Sequence, residues 1–213
     1  MGGELVSTKD IYNIVRRTMG VMDAKIQLHG EITGYIFYNM LKAEGQYTSV
    51  ELAEYVLLGM LHDVGMFKTG YEGGISRCET ANVWAHSIYG YLFMKYLSPV
   101  GDKAEIILYH HLPYKLHSQI KSNYMKITQY LTLADKMDVF MRMEGHGMEQ
   151  DYFQRNCDVT VSAKAVEIFQ RAQSDFKFMD KLKSDEYQKE MEDLFETVCF
   201  SEKQKQGFLE MLV

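Results

Sequence analysis

Only two of the 213 residues are proline, Pro99 and Pro113. Both suit helix ends, so long stretches of the chain hold no residue that breaks a helix. Residues 22–43 place Ile26, His29, Thr33, Ile36, Phe37 and Met40 near one face at helical spacing. Residues 50–63 set Leu52, Val56, Leu57, Met60 and Leu61 in similar register, and residues 80–97 align Val83, His86, Gly90, Phe93 and Leu97. Residues 102–112 and 124–143 read the same way, and three amphipathic segments follow at 162–173, 185–197 and 201–212. Strand signals are scarce, and no repeat or Ser/Pro-rich linker divides the chain. The pattern predicts an all-α fold of roughly eight or nine helices. It predicts a single domain over 1–213, with a core at about 22–143 and a helical tail at about 160–213. Loops are expected at Lys68–Ser76, Leu112–Asn123 and Glu144–Asp151.

Composition narrows the function classes. A formal net charge of −6 does not suit a general DNA or RNA binder, which needs a basic surface to displace counterions. A small anionic substrate stays compatible, because a bound metal supplies local positive charge that the average lacks. The cysteines are Cys78, Cys157 and Cys199, with no CxxC pair, which argues against a disulfide framework or a thiolate zinc site. The first residues, MGGELVSTKDIYNIVRR, lack an apolar signal core, and no uncharged apolar run approaches a bilayer span. A cytoplasmic chain without membrane partners is the expectation. The fifteen methionines are expected to fill irregular gaps between helices.

The placement of the seven histidines carries most of the chemistry. His29 and His86 fall mid-helix, His62-Asp63 and His110-His111 end apolar helices, and Asp135 lies in the apolar run that starts at Tyr130. His117 and His146 fall in expected loops. A lone histidine on an apolar face is usually a core residue satisfied by one hydrogen bond. A single HD dipeptide is also weak, since seven His and twelve Asp give roughly 0.4 of them by chance. The joint pattern is harder to dismiss. Burying so many polar groups without partners costs about 1–3 kcal/mol each, whereas a metal satisfies them together, imidazole nitrogen and carboxylate oxygen being ligands of Zn, Mn, Fe or Ni. Consecutive residues at a helix end point in different directions, so His62 and Asp63 reach neighbouring positions. The natural partition puts His29, His62, Asp63 and Asp135 on one ion, with Asp63 bridging to a second held by His86, His110 and His111. Two ions at about 3.5–4 Å activate a bridging hydroxide and stabilise in-line displacement at phosphorus.

The order H…HD…H…HH…D resembles the HD superfamily of metal-dependent phosphohydrolases over roughly residues 25–140. His86 and His110-His111 resemble its HD-GYP branch, and Ser162-Ala-Lys-Ala-Val-Glu-Ile-Phe resembles that branch's C-terminal helices. The resemblance implies an HD-domain helical bundle and two divalent transition-metal ions. It further implies hydrolysis of a small phosphorylated substrate such as a cyclic dinucleotide, not a nucleic acid polymer. The family's HDxGK lysine stands two positions late here, at Lys68 in His62-Asp-Val-Gly-Met-Phe-Lys68. Asp63 and Lys68 are the candidate catalytic residues, with Lys68 reaching a substrate phosphate. No Gly-Tyr-Pro follows His110-His111, and Lys25 occupies the position of a third-metal glutamate, so two ions are expected. Glu79 is a candidate to orient a ligand histidine. Tyr114 and Arg142, with Tyr71 and Lys115, are candidate substrate contacts. Two other readings remain open. One is a catalytically degenerate HD-domain sensor or scaffold that keeps its metals, and the other is an HD-type diiron oxygenase.

Overall fold

The computed structural model describes residues 6–69, 83–140 and 149–212. The chain is all-α, and among the described residues no strand forms beyond one isolated bridge between Cys157 and Val161. Its helices are α1 (Thr8–Met22), α2 (Ala24–Glu44), α3 (Ser49–Met60), α4 (Met66–Thr69), α5 (Val83–Leu97) and α6 (Glu105–Leu108). They continue with α7 (Met125–Asp138), α8 (Glu149–Asn156), α9 (Ala163–Phe176), α10 (Phe178–Lys183), α11 (Glu186–Thr197) and α12 (Glu202–Met211). No helix of the described residues is long and apolar enough to cross a membrane.

Helix α2 is the axis of the molecule. From His29 to Leu41 every residue but Ile32 is buried, as expected for a helix that is apolar almost all round. Helices α1, α3, α7 and α9 all pack on it. Asp23 sets its start: the carboxylate accepts from the N–H groups of Lys25 and Ile26 at 2.7 and 3.1 Å, satisfying donors a helix start leaves open. Gly30 permits the close crossing with α3, because a Cβ there would stand 2.3 Å from the Met60 carbonyl oxygen. The crossing lies one residue from His29 and two from His62, so it brings those two side chains together.

The C-terminal helices build the same core. Phe169, Phe178, Phe195, Phe200 and Phe208 are buried in a hydrophobic cluster continuous with Ile36, Phe37 and Leu57. Helix α9 packs on α2 and α7, α11 on α1 and α3, and α12 on α1 and α5. Among the described residues nine methionines are core residues, including Met40, Met66, Met94 and Met137 at 0% exposure, which fits their gap-filling role.

Several boundaries differ from the sequence pattern. Helices α1 and α10 were not expected, and α8 begins inside the stretch read as the loop Glu144–Asp151. The expected helix at 102–112 is a 3-10 turn (Gly101–Lys103) followed by the single turn α6. Its carbonyls at Ile107 and Tyr109 are taken by His110 and Leu112. The loop expected at 112–123 contains a 3-10 segment, Tyr114–Gln119. Lys68 and Thr69 end the short helix α4, while the rest of the expected loop, 70–76, lies outside the described residues.

Helix α3 presents the HD turn, so its start matters. Thr48 Oγ1 accepts from the Glu51 N–H at 3.2 Å and Glu51 Oε2 accepts from the Thr48 N–H at 2.8 Å, a reciprocal cap. Thr48→Ala is expected to cost about 1 kcal/mol, read as a lower urea midpoint at unchanged m. The backbone hydrogen bond from Thr48 also holds the Glu51 carboxyl below its ordinary value. This contribution is therefore present above the unfolded-state pKa and is lost as pH falls through the folded one. The Thr48 hydroxyl, which donates to Glu51 Oε2 at 2.8 Å, adds to the same lowering. Alanine keeps the backbone donor but loses this one, so the gap between wild type and Thr48→Ala should narrow in acid.

Candidate metal centre

Five elements deliver the seven ligand candidates to one place. His29 comes from α2 and Asp135 from α7, His62 and Asp63 from the turn after α3, His86 from α5, and His110 and His111 from the turn after α6. All seven side chains are buried at 2% exposure or less. They form two groups, Asp63 with His86, His110 and His111, and His29 with His62 and Asp135. The donor atoms of each group lie within 4.8 Å of one another, comparable to the roughly 4 Å between opposite ligands on one ion at ~2.1 Å from each.

Asp63 stands between the groups. Its Oδ2 is 3.5 Å from both His29 Nε2 and His62 Nε2, and its Oδ1 is 3.4 Å from His86 Nε2 and 3.7 Å from His110 Nε2. Asp135 Oδ1 faces His29 Nε2 at 3.3 Å and His62 Nε2 at 3.9 Å, while Oδ2 lies 3.9 Å from His111 Nδ1.

The far side of three rings is fixed by hydrogen bonds. His62 Nδ1 donates to the Gly59 carbonyl at 2.7 Å, His110 Nδ1 to the Ile107 carbonyl at 2.6 Å, and His29 Nδ1 to Asp138 Oδ2 at 2.6 Å. With hydrogen on Nδ1, each ring turns its Nε2, the atom that can offer a lone pair to a metal, into the cluster. Seven buried atoms there lack a well-formed hydrogen bond: the Nε2 atoms of His29, His62 and His110 and both oxygens of Asp63 and Asp135, with the Lys136 ammonium 3.2 Å from Asp135 Oδ2. At about 1–3 kcal/mol each, their burial would cost on the order of 10 kcal/mol, as much as the whole stability of an ordinary domain. A cation among them removes that cost, so the residues fit a metal ion.

The electrostatics divide the imidazoles: His62, His86 and His111 are held toward the neutral form, while the neighbouring carboxylates raise His29 and, against burial, His110. Burial pushes His62 and His111 down, and it takes His86 to about 4. Burial alone would raise Asp63 and Asp135, but the surrounding imidazoles, joined at Asp135 by the Lys136 ammonium, together outweigh it, and both carboxyls lie well below their ordinary value. Burial also opposes charge on His29, yet the facing Asp135 and Asp138 carboxylates raise it well above the usual imidazole value. Neutral imidazoles beside ionised carboxylates are the forms that bind metal.

The remaining site candidates fall elsewhere. Lys68 is exposed and lines an apolar groove of about 830 Å³ with Leu61, Val64, Phe67, Phe93 and Met211, which none of the seven ligands lines. Tyr114 and Lys115 line a separate surface pocket beside His117 and Gln129. His117 is a core histidine, with Nε2 3.0 Å from Gln129 Nε2 and 3.2 Å from the Leu112 carbonyl. Arg142, Tyr71, Glu79 and His146 lie outside the described residues. Lys25 is exposed.

Three functional neighbours were not foreseen. Asp138 holds His29, Lys136 Nζ sits 3.2 Å from Asp135 Oδ2, and Thr132 donates its hydroxyl to the His110 carbonyl at 2.6 Å. Asp138 had a readable signal, because it follows Asp135 by three residues on one helix and therefore shares its face.

The fold and the site together define an all-α protein whose buried His–Asp groups could hold a metal ion. No protein-family model, curated protein or solved structure matches the chain.

Proposed function

We propose that this chain is an HD-type metal-dependent phosphohydrolase, acting with two divalent transition-metal ions on a nucleotide or cyclic-dinucleotide-like substrate. Asp63 carries the reading. Its two oxygens face separate sets of imidazole nitrogens, and neither oxygen has a hydrogen-bond partner among the described residues. A carboxylate in that position suits a bridge between two ions. His29, His62 and Asp135 would hold the first ion, His86, His110 and His111 the second, and Asp63 both. Iron, manganese, zinc and nickel all accept such donors. Bound ions supply a water acidic enough to ionise near neutral pH and a Lewis-acid clamp for displacement at phosphorus.

The protein's own part is to hold the donors and set their tautomers. The Gly59 and Ile107 carbonyls and the Asp138 carboxylate do this for His62, His110 and His29. Asp63 and Asp135 remain ionised and can accept a proton. The phosphate substrate class rests on the ligand order H…HD…H…HH…D and its resemblance to the HD-GYP branch.

A second reading, a metal-binding sensor or scaffold, is favoured by Lys68 and Tyr114, which line cavities away from the cluster. Turnover separates the two. Purified protein with manganese or ferrous iron should hydrolyse a generic aryl phosphodiester, and chelation should abolish the rate. Metal uptake without turnover over a panel of phosphodiesters and monoesters would favour the sensor. Oxygen consumption by the reduced, iron-loaded protein would point instead to a diiron oxygenase.

A further inference from the structure

The two half-sites are unequally prepared. In the first, both rings have hydrogen committed to Nδ1: His29 to the buried Asp138 carboxylate at 2.6 Å and His62 to the Gly59 carbonyl at 2.7 Å. Their Nε2 atoms therefore point at Asp63 Oδ2 and Asp135 Oδ1. The carboxylate behind His29 also makes that ring a stronger donor, since a charge-assisted hydrogen bond at Nδ1 raises the basicity of the other nitrogen.

The second half-site is different. His110 is preset by Ile107, but His86 Nε2 and His111 Nε2 face each other at 2.8 Å. Two bare lone pairs repel at that distance, so one of the rings carries its hydrogen on Nε2 and donates to the other. An ion entering there must break that hydrogen bond and move the hydrogen off the donor nitrogen. Charge adds to the asymmetry. The first half-site has Asp63 Oδ2 and Asp135 Oδ1 with Asp138 behind, whereas Asp135 turns its other oxygen toward both His111 and the Lys136 ammonium, 3.9 and 3.2 Å away. The imidazoles of the first half-site thus face two carboxylates, whereas His86 and His110 of the second face Asp63 Oδ1, so a dication is attracted less strongly there.

We infer that the centre loads in order, with the His29–His62–Asp135 half-site taking its ion first and more tightly, and that Asp138 is the positioning residue that sets this order. The inference rests on the two-ion reading above, but its test reads metal binding and not turnover. Chelator-stripped protein titrated with manganese or cobalt in a calorimeter should give two phases of distinct affinity. Asp138→Asn, which keeps the shape and removes the charge, should weaken the tight phase by about 10–100-fold and leave the weak phase in place. Asp138→Glu should restore part of the loss. His86→Ala should remove the weak phase alone, a check that does not depend on how well the Asp138 variants fold. A single phase for two ions, equal weakening of both phases by Asp138→Asn, or loss of the tight phase in His86→Ala would overturn the ordered loading. Uptake of no ion by the wild type would overturn the metal reading itself, a separate result.

Discussion

Asp63→Ala is expected to lower the metal-to-chain ratio from near two to well below one and to abolish phosphoester turnover. The side chain is shared by both half-sites, with Oδ2 against His29 and His62 and Oδ1 against His86 and His110. Removing any one histidine would cost one group a single donor. Removing Asp63 takes a negatively charged donor from both groups and leaves Asp135 as the one carboxylate among the remaining six. Four imidazole rings would then surround a buried gap with little charge to offset a pair of dications, and removing one partner of a buried charge cluster is strongly unfavourable. Asp63→Asn retains the shape and serves as the charge-only control. His117→Ala, which alters a buried histidine outside the cluster, should leave the ratio near two. Elemental analysis after dialysis reads the result, and retention of both metal and turnover by Asp63→Ala would sink the two-ion reading.

The sequence made the ligand set legible because each member lies on, or at the end of, a helix whose apolar register could be read. His29 and Asp135 belong to helices that are apolar over many turns, and His62 and His110 close apolar runs. Their burial follows from the pattern. Their convergence does not, since it depends on where α2, α3, α5 and α7 cross, and local pattern carries no crossing geometry. Lys68 shows this limit. It lies five residues from Asp63, but the single turn of α4 directs it to the apolar groove. Asp138 shows another. Its spacing from Asp135 was visible, but its role needs His29 Nδ1 at 2.6 Å, a contact across 109 residues of chain. The missed helices have local causes. Helix α1 depends on a Ser7–Asp10 cap, and its buried face of Ile11, Tyr12, Val15 and Met19 is interrupted by polar residues that dilute the apolar signal. Helix α10 is short enough for end effects to dominate its pattern.

Gly65 illustrates what a ligand-only reading omits, and its substitution should have the second largest effect. A Cβ at Gly65 would stand 2.0 Å from the His86 carbonyl oxygen, 2.9 Å from the His86 carbonyl carbon and 2.6 Å from the Gly90 nitrogen. These are backbone atoms of α5, so no side-chain rotation relieves the overlap. Gly65→Ala must therefore push α5 from the HD turn or reshape the turn, at a cost of about 1–3 kcal/mol or more. The displaced helix carries His86, whose Nε2 is 3.4 Å from Asp63 Oδ1. Metal–ligand distances tolerate only about ±0.2 Å, so a shift of ångström size removes His86 from the second half-site. His29 and Asp135 come from α2 and α7, and His62 is tied back to the Gly59 carbonyl of α3 at 2.7 Å, so the first ion should remain when α5 is the element that moves. The expected result is a lowered unfolding midpoint, a metal-to-chain ratio near one and loss of turnover. Gly45→Ala is the informative control. Gly45 ends α2 at φ 74° with nothing within 4 Å of a built Cβ, so a side chain there costs stability through backbone strain alone. It should lower the midpoint without changing the ratio. If Gly65→Ala retained two ions and an unchanged midpoint, the close packing of the HD turn on α5 would not be what holds the second half-site together.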